Sequence, residues 1–202
     1  MNICFIMYPW ESIDAETDST IRLIHESAIR KHTVALTSSN NLTVRNNVTS
    51  AFCKVLKKDH NIPQSIPSFY KKAQFKEQLL PLAGFDVIFM RADPPIDNIM
   101  LNFLDSVKND TFIINDIGGL REANNKLYTA GFYDPDNDMI PETHVSKNKD
   151  YLRKIIENSE QDRMILKPLN GFGGKGVIVV EKSARQNISS LLDFYISGTG
   201  KS

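Results

Sequence analysis

The sequence carries almost no surplus of anything. Lys+Arg and Asp+Glu number 24 each over 202 residues, so no net field holds nucleic acid or an acidic membrane by bulk electrostatics. Function must then sit in a local site. Cysteine is scarce: Cys4 and Cys53 both lie in apolar surroundings, which argues against a disulfide framework and fits core packing in a reducing compartment. Four histidines, His25, His32, His60 and His144, are scattered without the clustered spacings of a zinc site. The apolar run from Ile3 to Trp10 has no basic flank and is closed by Glu11 and Asp14. It is too short for a signal peptide or a membrane span. Repeats and low-complexity blocks are missing too. What remains, 41% hydrophobic and 24% charged residues, is a globular make-up that excludes a disordered tail, a collagen-like fibre and a coiled-coil rod.

What is present is an alternation of short apolar strands with helical patterns. Asn2 to Tyr8 reads as a buried strand ended by Pro9. Asp18-Ser-Thr20 supplies cap oxygens to a helix with Ile21, Ile24 and Ala28 on one face, reaching about Arg30. His32 to Thr37 is a second, parallel strand. From Ser38 to Pro81 the helical signal disappears, and stretches such as Thr49 to Leu56 and Phe69 to Phe75 are expected as hairpin-like strands at the sheet periphery. Strand Phe85 to Met90, helix Ile96 to Val107 and strand Thr111 to Ile114 resume the rhythm. Such a chain is expected to be α/β, with an open, mainly parallel sheet that binds ligands beyond the carboxyl ends of its strands. After Gly118-Gly119 the pattern changes to a helix over Leu120 to Phe132, a charged helix over Asn148 to Asn158, strands Met164 to Leu169 and Val177 to Val180, and a last helix carrying Ile188, Leu191, Leu192 and Tyr195. A domain boundary near residue 118 is expected.

The segment richest in chemistry is Ile165-Leu-Lys167-Pro-Leu-Asn-Gly171-Phe-Gly173-Gly174-Lys175-Gly176. Glycines between two strands let backbone N–H groups approach an anion without Cβ interference. Lys167, placed inside the preceding strand, would aim an ammonium at the same spot, and a charge buried there without a partner would be expensive. The plainer alternative is a glycine-rich hairpin with a solvated lysine. No Walker A loop or dinucleotide fingerprint occurs, and the terminal Gly198-Thr-Gly-Lys-Ser202 lacks the first glycine and the following helix of a P-loop. Arg91, just past a sheet strand, can hold a carboxylate bidentately; an ion pair with Asp93 weighs equally. The N–H groups of Ser19 and Thr20 either receive a substrate carboxylate or serve only the helix cap.

Several stretches, in this order, resemble the bacterial glutathione synthetases of the ATP-grasp superfamily. They are Ile6-Met-Tyr-Pro9, Asp18-Ser-Thr20, Pro81-Leu-Ala-Gly-Phe-Asp-Val-Ile-Phe-Met-Arg91-Ala-Asp93-Pro-Pro95, Ile114-Asn115, Leu120-Arg-Glu-Ala-Asn-Asn-Lys126-Leu-Tyr128, Pro141-Glu-Thr143, and Ile165-Leu-Lys167-Pro-Leu169 with its glycine loop. The resemblance implies a pre-ATP-grasp domain over 1–118, then the first α+β lobe of an ATP-grasp domain over 119–202, the second lobe being expected beyond Ser202. It implies that Lys126 and Lys167 approach ATP phosphates and that Gly171, Gly173, Gly174, Lys175 and Gly176 close over them. Arg91 is the candidate for catalysis and substrate binding, orienting a peptide carboxylate or stabilising the acyl phosphate, Ser19 and Thr20 are candidates for substrate binding, and no metal ligand is expected in this chain. The Mg²⁺ carboxylates, the nucleotide hinge and a Glu-x-Asn segment are expected in the second lobe; Glu181 and Asp193 do not match their order. The implied reaction joins γ-glutamylcysteine and glycine at the expense of ATP through an acyl phosphate, giving glutathione, ADP and phosphate. The implied partners are the dipeptide and amino acid, with no nucleic acid or membrane. The implied setting is the cytoplasm, and the implied assembly a homo-oligomer. Asp116-Ile117 departs from the family's frequent proline-containing turn. The chain alone is expected to be inactive. Two alternatives stay open, a non-catalytic nucleotide- or protein-binding module and an ATP-grasp peptide ligase of other specificity.

Overall fold

A computed structural model describes residues 1–58, 61–93, 96–136, 138–181, 183 and 187–198. Pro94 and Pro95 of the Asp-Pro-Pro turn, His60, and residues 199–202 of the P-loop-like tail lie outside the described residues. The chain divides into two compact units, Met1–Arg121 and Glu122 onward.

In the first unit, strands β1 (Asn2–Ile6), β2 (Thr33–Thr37), β6 (Val87–Met90) and β7 (Phe112–Ile114) form a parallel block in the order β2-β1-β6-β7. Three antiparallel strands, β3 (Leu42–Arg45), β4 (Val48–Leu56) and β5 (Phe75–Pro81), extend it through β4, which pairs with β2. The hairpin-like periphery expected from the sequence is this extension. Successive β1 side chains alternate between faces, as a pleated strand requires. Ile3 and Phe5 pack under helices α1 (Ser19–Ile29) and α2 (Ile66–Lys72), while Cys4 and Ile6 pack under α3 (Asn98–Asp105) and α4 (Ile117–Glu122). A strand buried on both faces has no polar side to show, which is why β1 reads as a continuous apolar run.

The helices begin where their caps dictate. The Asp18 carboxylate accepts the Thr20 N–H at 2.6 Å, and Asp97 accepts from Ile99 at 2.9 Å. Each cap satisfies one of the donors left free in a first turn. Helix α2 corrects the expectation of no helix between Ser38 and Pro81, and of a strand from Phe69. It is a seven-residue helix with proline in its first turn, Lys71 and Lys72 in its last, and only Phe69 buried. So short a segment shows no periodicity, and its signal lay in the proline and the terminal lysines. Cys4 and Cys53 are free and buried in one core cluster; hydrogen bonding with Cys53, together with burial, pushes the Cys4 thiol well above its ordinary range.

The second unit is built on two antiparallel strands, β8 (Arg163–Leu166) and β9 (Ile178–Glu181), with helices α6 (Lys149–Asn158) and α7 (Ile188–Gly198). Ile156, Val180, Ile188 and Leu192 are its buried core, joined by Met164 and Leu166. The helix expected over Leu120 to Phe132 is broken into α4 and the short α5 (Leu127–Ala130). Asn125 explains the break. Its side chain accepts the Leu127 N–H at 2.9 Å, a local bond that competes with the helical ladder and starts a new turn. Among the described residues no helix is long and apolar enough to cross a membrane.

Candidate functional site

Two groups of predicted residues come together, one in each unit. In the first, Arg91 continues β6: its N–H donates to the Ile6 carbonyl at 2.8 Å. That fixes its Cα at the carboxyl ends of β1 and β6, beside the start of α1. Its guanidinium donates to the hydroxyls of Ser19, at 2.8 Å from Nη2, and Thr20, at 3.2 Å from Nε. Among the described residues Arg91 forms no ion pair, with Asp93 or any other carboxylate. The Thr20 N–H is already used by Asp18, so the backbone donor read from the sequence as open to a substrate is taken at that residue. What the pair presents is two hydroxyls oriented by an exposed cation, an arrangement suited to an anion.

In the second unit, the glycine loop leaves β8 and returns as β9. Lys167 follows the strand rather than lying inside it, and it is exposed. The strand expected to reach Leu169 stops at Leu166, paired with Ile178, because Pro168 has no N–H to continue a ladder. The cost of burying a lysine therefore plays no part; Lys167 is available to solvent. Lys126 is half-buried, and its ammonium donates to the carbonyls of Pro168, at 2.9 Å, and Gly171. Its backbone N–H donates to Leu169 at 3.2 Å. An ammonium has three donors, so one is left over. Lys175 lies 5.5 Å from the centre of the Phe172 ring, a cation–π distance.

Backbone geometry explains the glycines. Gly173, Gly174 and Gly176 have φ of 58°, 73° and 73°, the left-handed region that glycine enters without penalty. A Cβ on Gly176 would also sit 2.8 Å from Pro168 Cγ. Within the loop, Lys175 N–H donates to Phe172 and Val177 N–H to Gly174, each at 3.2 Å. Among the described residues the N–H groups of Gly173 and Gly174 have no protein acceptor.

Two features escaped the sequence reading. Ile165 and Val179, directly paired across β8 and β9, are 56% and 53% exposed. They make an apolar outer face, with Lys167 next in the outward series. The signal was the apolar character of both parities in these strands. The second is Tyr195 of α7, whose hydroxyl donates to the Gly176 carbonyl. No cluster of three or more His, Cys, Asp or Glu side chains lies together among the described residues; Asp193 accepts from Lys149 at 2.5 Å and Glu181 faces Arg163 at 3.7 Å.

Comparison with known proteins matches residues 1–121 to the family described as prokaryotic glutathione synthetase, N-terminal domain, and residues 125–201 to prokaryotic glutathione synthetase, ATP-grasp domain. The chain belongs to the prokaryotic glutathione synthetase family. It is 30% identical to the glutathione synthetase of Nostoc sp. over 96% of its own length and 60% of that protein's. To the Escherichia coli K12 glutathione synthetase it is 32% identical over 88% and 54%. Its backbone is similar to the crystal structure of D-alanine–D-alanine ligase from Helicobacter pylori with a TM-score of 0.48 and 14% identity, covering 96% of this chain and 63% of that one. The chain thus spans rather more than half the length of the curated relatives it matches. Within a glutathione synthetase framework, the Arg91 group falls in the N-terminal match and the glycine loop in the ATP-grasp match.

Proposed function

We propose that this chain supplies the dipeptide-binding domain and the phosphate-gripping lobe of an ATP-dependent carboxylate–amine ligase. The observation that carries the reading is the loop of residues 171–176, where the N–H groups of Gly173 and Gly174, without an acceptor among the described residues, sit on a backbone only glycine adopts easily. Oriented N–H groups in such a concavity bind phosphate. Lys126 holds the loop's start and keeps one donor for a phosphate oxygen. Lys167 adds a second cation, and the outer face of Ile165 and Val179 offers a surface for a flat apolar base beside them. Cations and backbone donors fixed before reaction stabilise the charge on a transferring phosphoryl group, where positioning and electrostatics supply most of the rate.

ATP supplies the phosphoryl group that activates a carboxylate, and an amine then displaces phosphate to form the amide. For γ-glutamylcysteine and glycine the product is glutathione. Arg91, with Ser19 and Thr20, holds the carboxylate end of the dipeptide. A Mg²⁺ ion beside the nucleotide would take one or two carboxylates together with phosphate oxygens; among the described residues no three His, Cys, Asp or Glu side chains lie together. A cytoplasmic setting agrees with two free, buried thiols and with disulfides being rare there.

Calorimetric titration with ADP tests the reading. Saturable binding that is weakened about 10-fold or more in Lys167→Ala supports it, and no heat of binding overturns it. Phosphate release from ATP with γ-glutamylcysteine and glycine tests the activity, and the 202-residue chain alone is expected to give none.

A further inference from the structure

The glycine loop is fastened at both ends by different elements. At its start the Lys126 ammonium donates to the Pro168 and Gly171 carbonyls. At its close the Tyr195 hydroxyl, carried on α7, donates to the Gly176 carbonyl. The two ends also touch, since a Cβ on Gly176 would meet the Pro168 ring. Among the described residues the loop is braced internally by turn hydrogen bonds from Gly171 N–H to Pro168, Lys175 N–H to Phe172 and Val177 N–H to Gly174, all of 3.2–3.4 Å, and the Cβ positions of Gly173 and Gly174 have nothing within 4 Å. The order of the tip therefore depends on how its ends are held. Burial pushes the Tyr195 phenol above its ordinary range, so the hydroxyl remains a donor through neutral pH.

We propose that Tyr195 is a positioning residue for the nucleotide: by fixing the Gly176 carbonyl it holds the tip N–H groups in the orientation that receives phosphate. Ordering the loop before binding removes an entropic cost that the ligand would otherwise have to offset. The inference rests on the reading of this loop as a phosphate cradle, and Tyr195 acts through the loop without touching substrate.

Tyr195→Phe keeps the ring and removes only the hydroxyl. Hydrogen exchange on the 202-residue chain without nucleotide is expected to speed up at Gly173–Val177 by roughly two- to tenfold, the span of one hydrogen bond's net contribution. Exchange in β8 and α6 is expected to stay unchanged, and the Kd for ADP to rise by a similar factor. Unchanged loop exchange overturns the proposal, as does equal acceleration in β8 and α6, which is what a packing role produces. A looser loop with unaltered ADP affinity overturns it as well. If the wild-type chain binds no ADP yet the loop still responds selectively to Tyr195→Phe, the phosphate reading falls and the fastening by Tyr195 stands.

Discussion

The two units solve the problem of burying a sheet in opposite ways. The first covers both faces of its central strands β1, β2 and β6, with Phe5, Ile6, Ile21, Ile88, Leu101 and Leu104 all below 2% exposure, and leaves apolar side chains such as Phe52, Leu79 and Phe112 bare only on its outer strands. The second covers one face, behind Ile156, Val180, Ile188 and Leu192, and leaves Ile165 and Val179 open on the other. A sheet covered on both sides is a stable platform. A sheet bare on one side retains apolar surface that a ligand can bury, at a cost to its own stability. The first unit is read mainly as scaffold and the second mainly as grip, and each statement can be broken.

The largest expected effect is on the thin core. Leu192 is 1% exposed, and Leu192→Ala is expected to destabilise the second unit by about 2–5 kcal/mol. Trp10, the protein's one tryptophan, is packed by Phe69, Tyr70 and Phe75 in the first unit, so its fluorescence follows that unit alone. Urea unfolding of the variant should leave the Trp10 transition in place while hydrogen exchange in α6 and β9 accelerates. A Trp10 midpoint that moves by the same amount would show one cooperative body and end the contrast.

Next come substitutions that separate grip from scaffold. Lys167→Ala is expected to weaken ADP binding by about 10-fold or more, as for loss of a charged hydrogen bond, with the melting temperature unchanged because Lys167 is exposed. Ile165→Ser should behave alike, with a smaller affinity loss. A fall in stability larger than in affinity would mean that the outer face is covered by protein rather than ligand. Gly173→Ala forces a side chain into φ +58° and is expected to cost about 1 kcal/mol, read as weaker ADP binding. Its Cβ has open space beyond its own chain neighbours, so a clash with other residues is excluded in advance and the cost is that of the backbone conformation.

The smallest effect distinguishes the units by acid. In the first unit, hydrogen bonding to Lys54 lowers the Glu11 carboxyl, and hydrogen bonding to Lys108, with Arg121 nearby, lowers Asp105. A carboxyl depressed on folding contributes stability that is present above its unfolded value and lost as pH falls through its folded one. Glu11 is exposed and Asp105 half-buried at the surface, so the loss is slight and screened by salt. The Trp10 transition should therefore weaken modestly below about pH 4, and less at high ionic strength. A pH-independent midpoint over that window would remove these pairs from the account.

How much of this could be seen beforehand depends on whether a residue's neighbours are local. Asp18 before Ile21, Ile24 and Ala28 declares a capped amphipathic helix within ten residues, and the helix is there. Val87 to Met90 is apolar on both parities, and the strand is buried between helices. The Gly173 and Gly174 positions were legible because only glycine is cheap at positive φ. The Lys126 ammonium was not, since its acceptors at Pro168 and Gly171 are more than forty residues away. Lys167 was misjudged for a similar reason. Its strand could not be seen to end until the pairing partner Ile178 was known.

The bare face of β8 and β9 bears on how those strands find one another. A slip of one residue exchanges the faces of a strand, and here hydrophobicity alone gives little guidance: Met164, Leu166 and Val180 lie inward, but Ile165 and Val179 are as apolar outward. The difference is made by charge. A slip would turn Arg163 or Glu181 toward Ile156 and Leu192, and a lone ion there is expensive to desolvate. The charges at the far end of the ladder, Arg163 and Glu181, thus select the register, and in doing so keep the apolar side of Ile165 and Val179 turned outward.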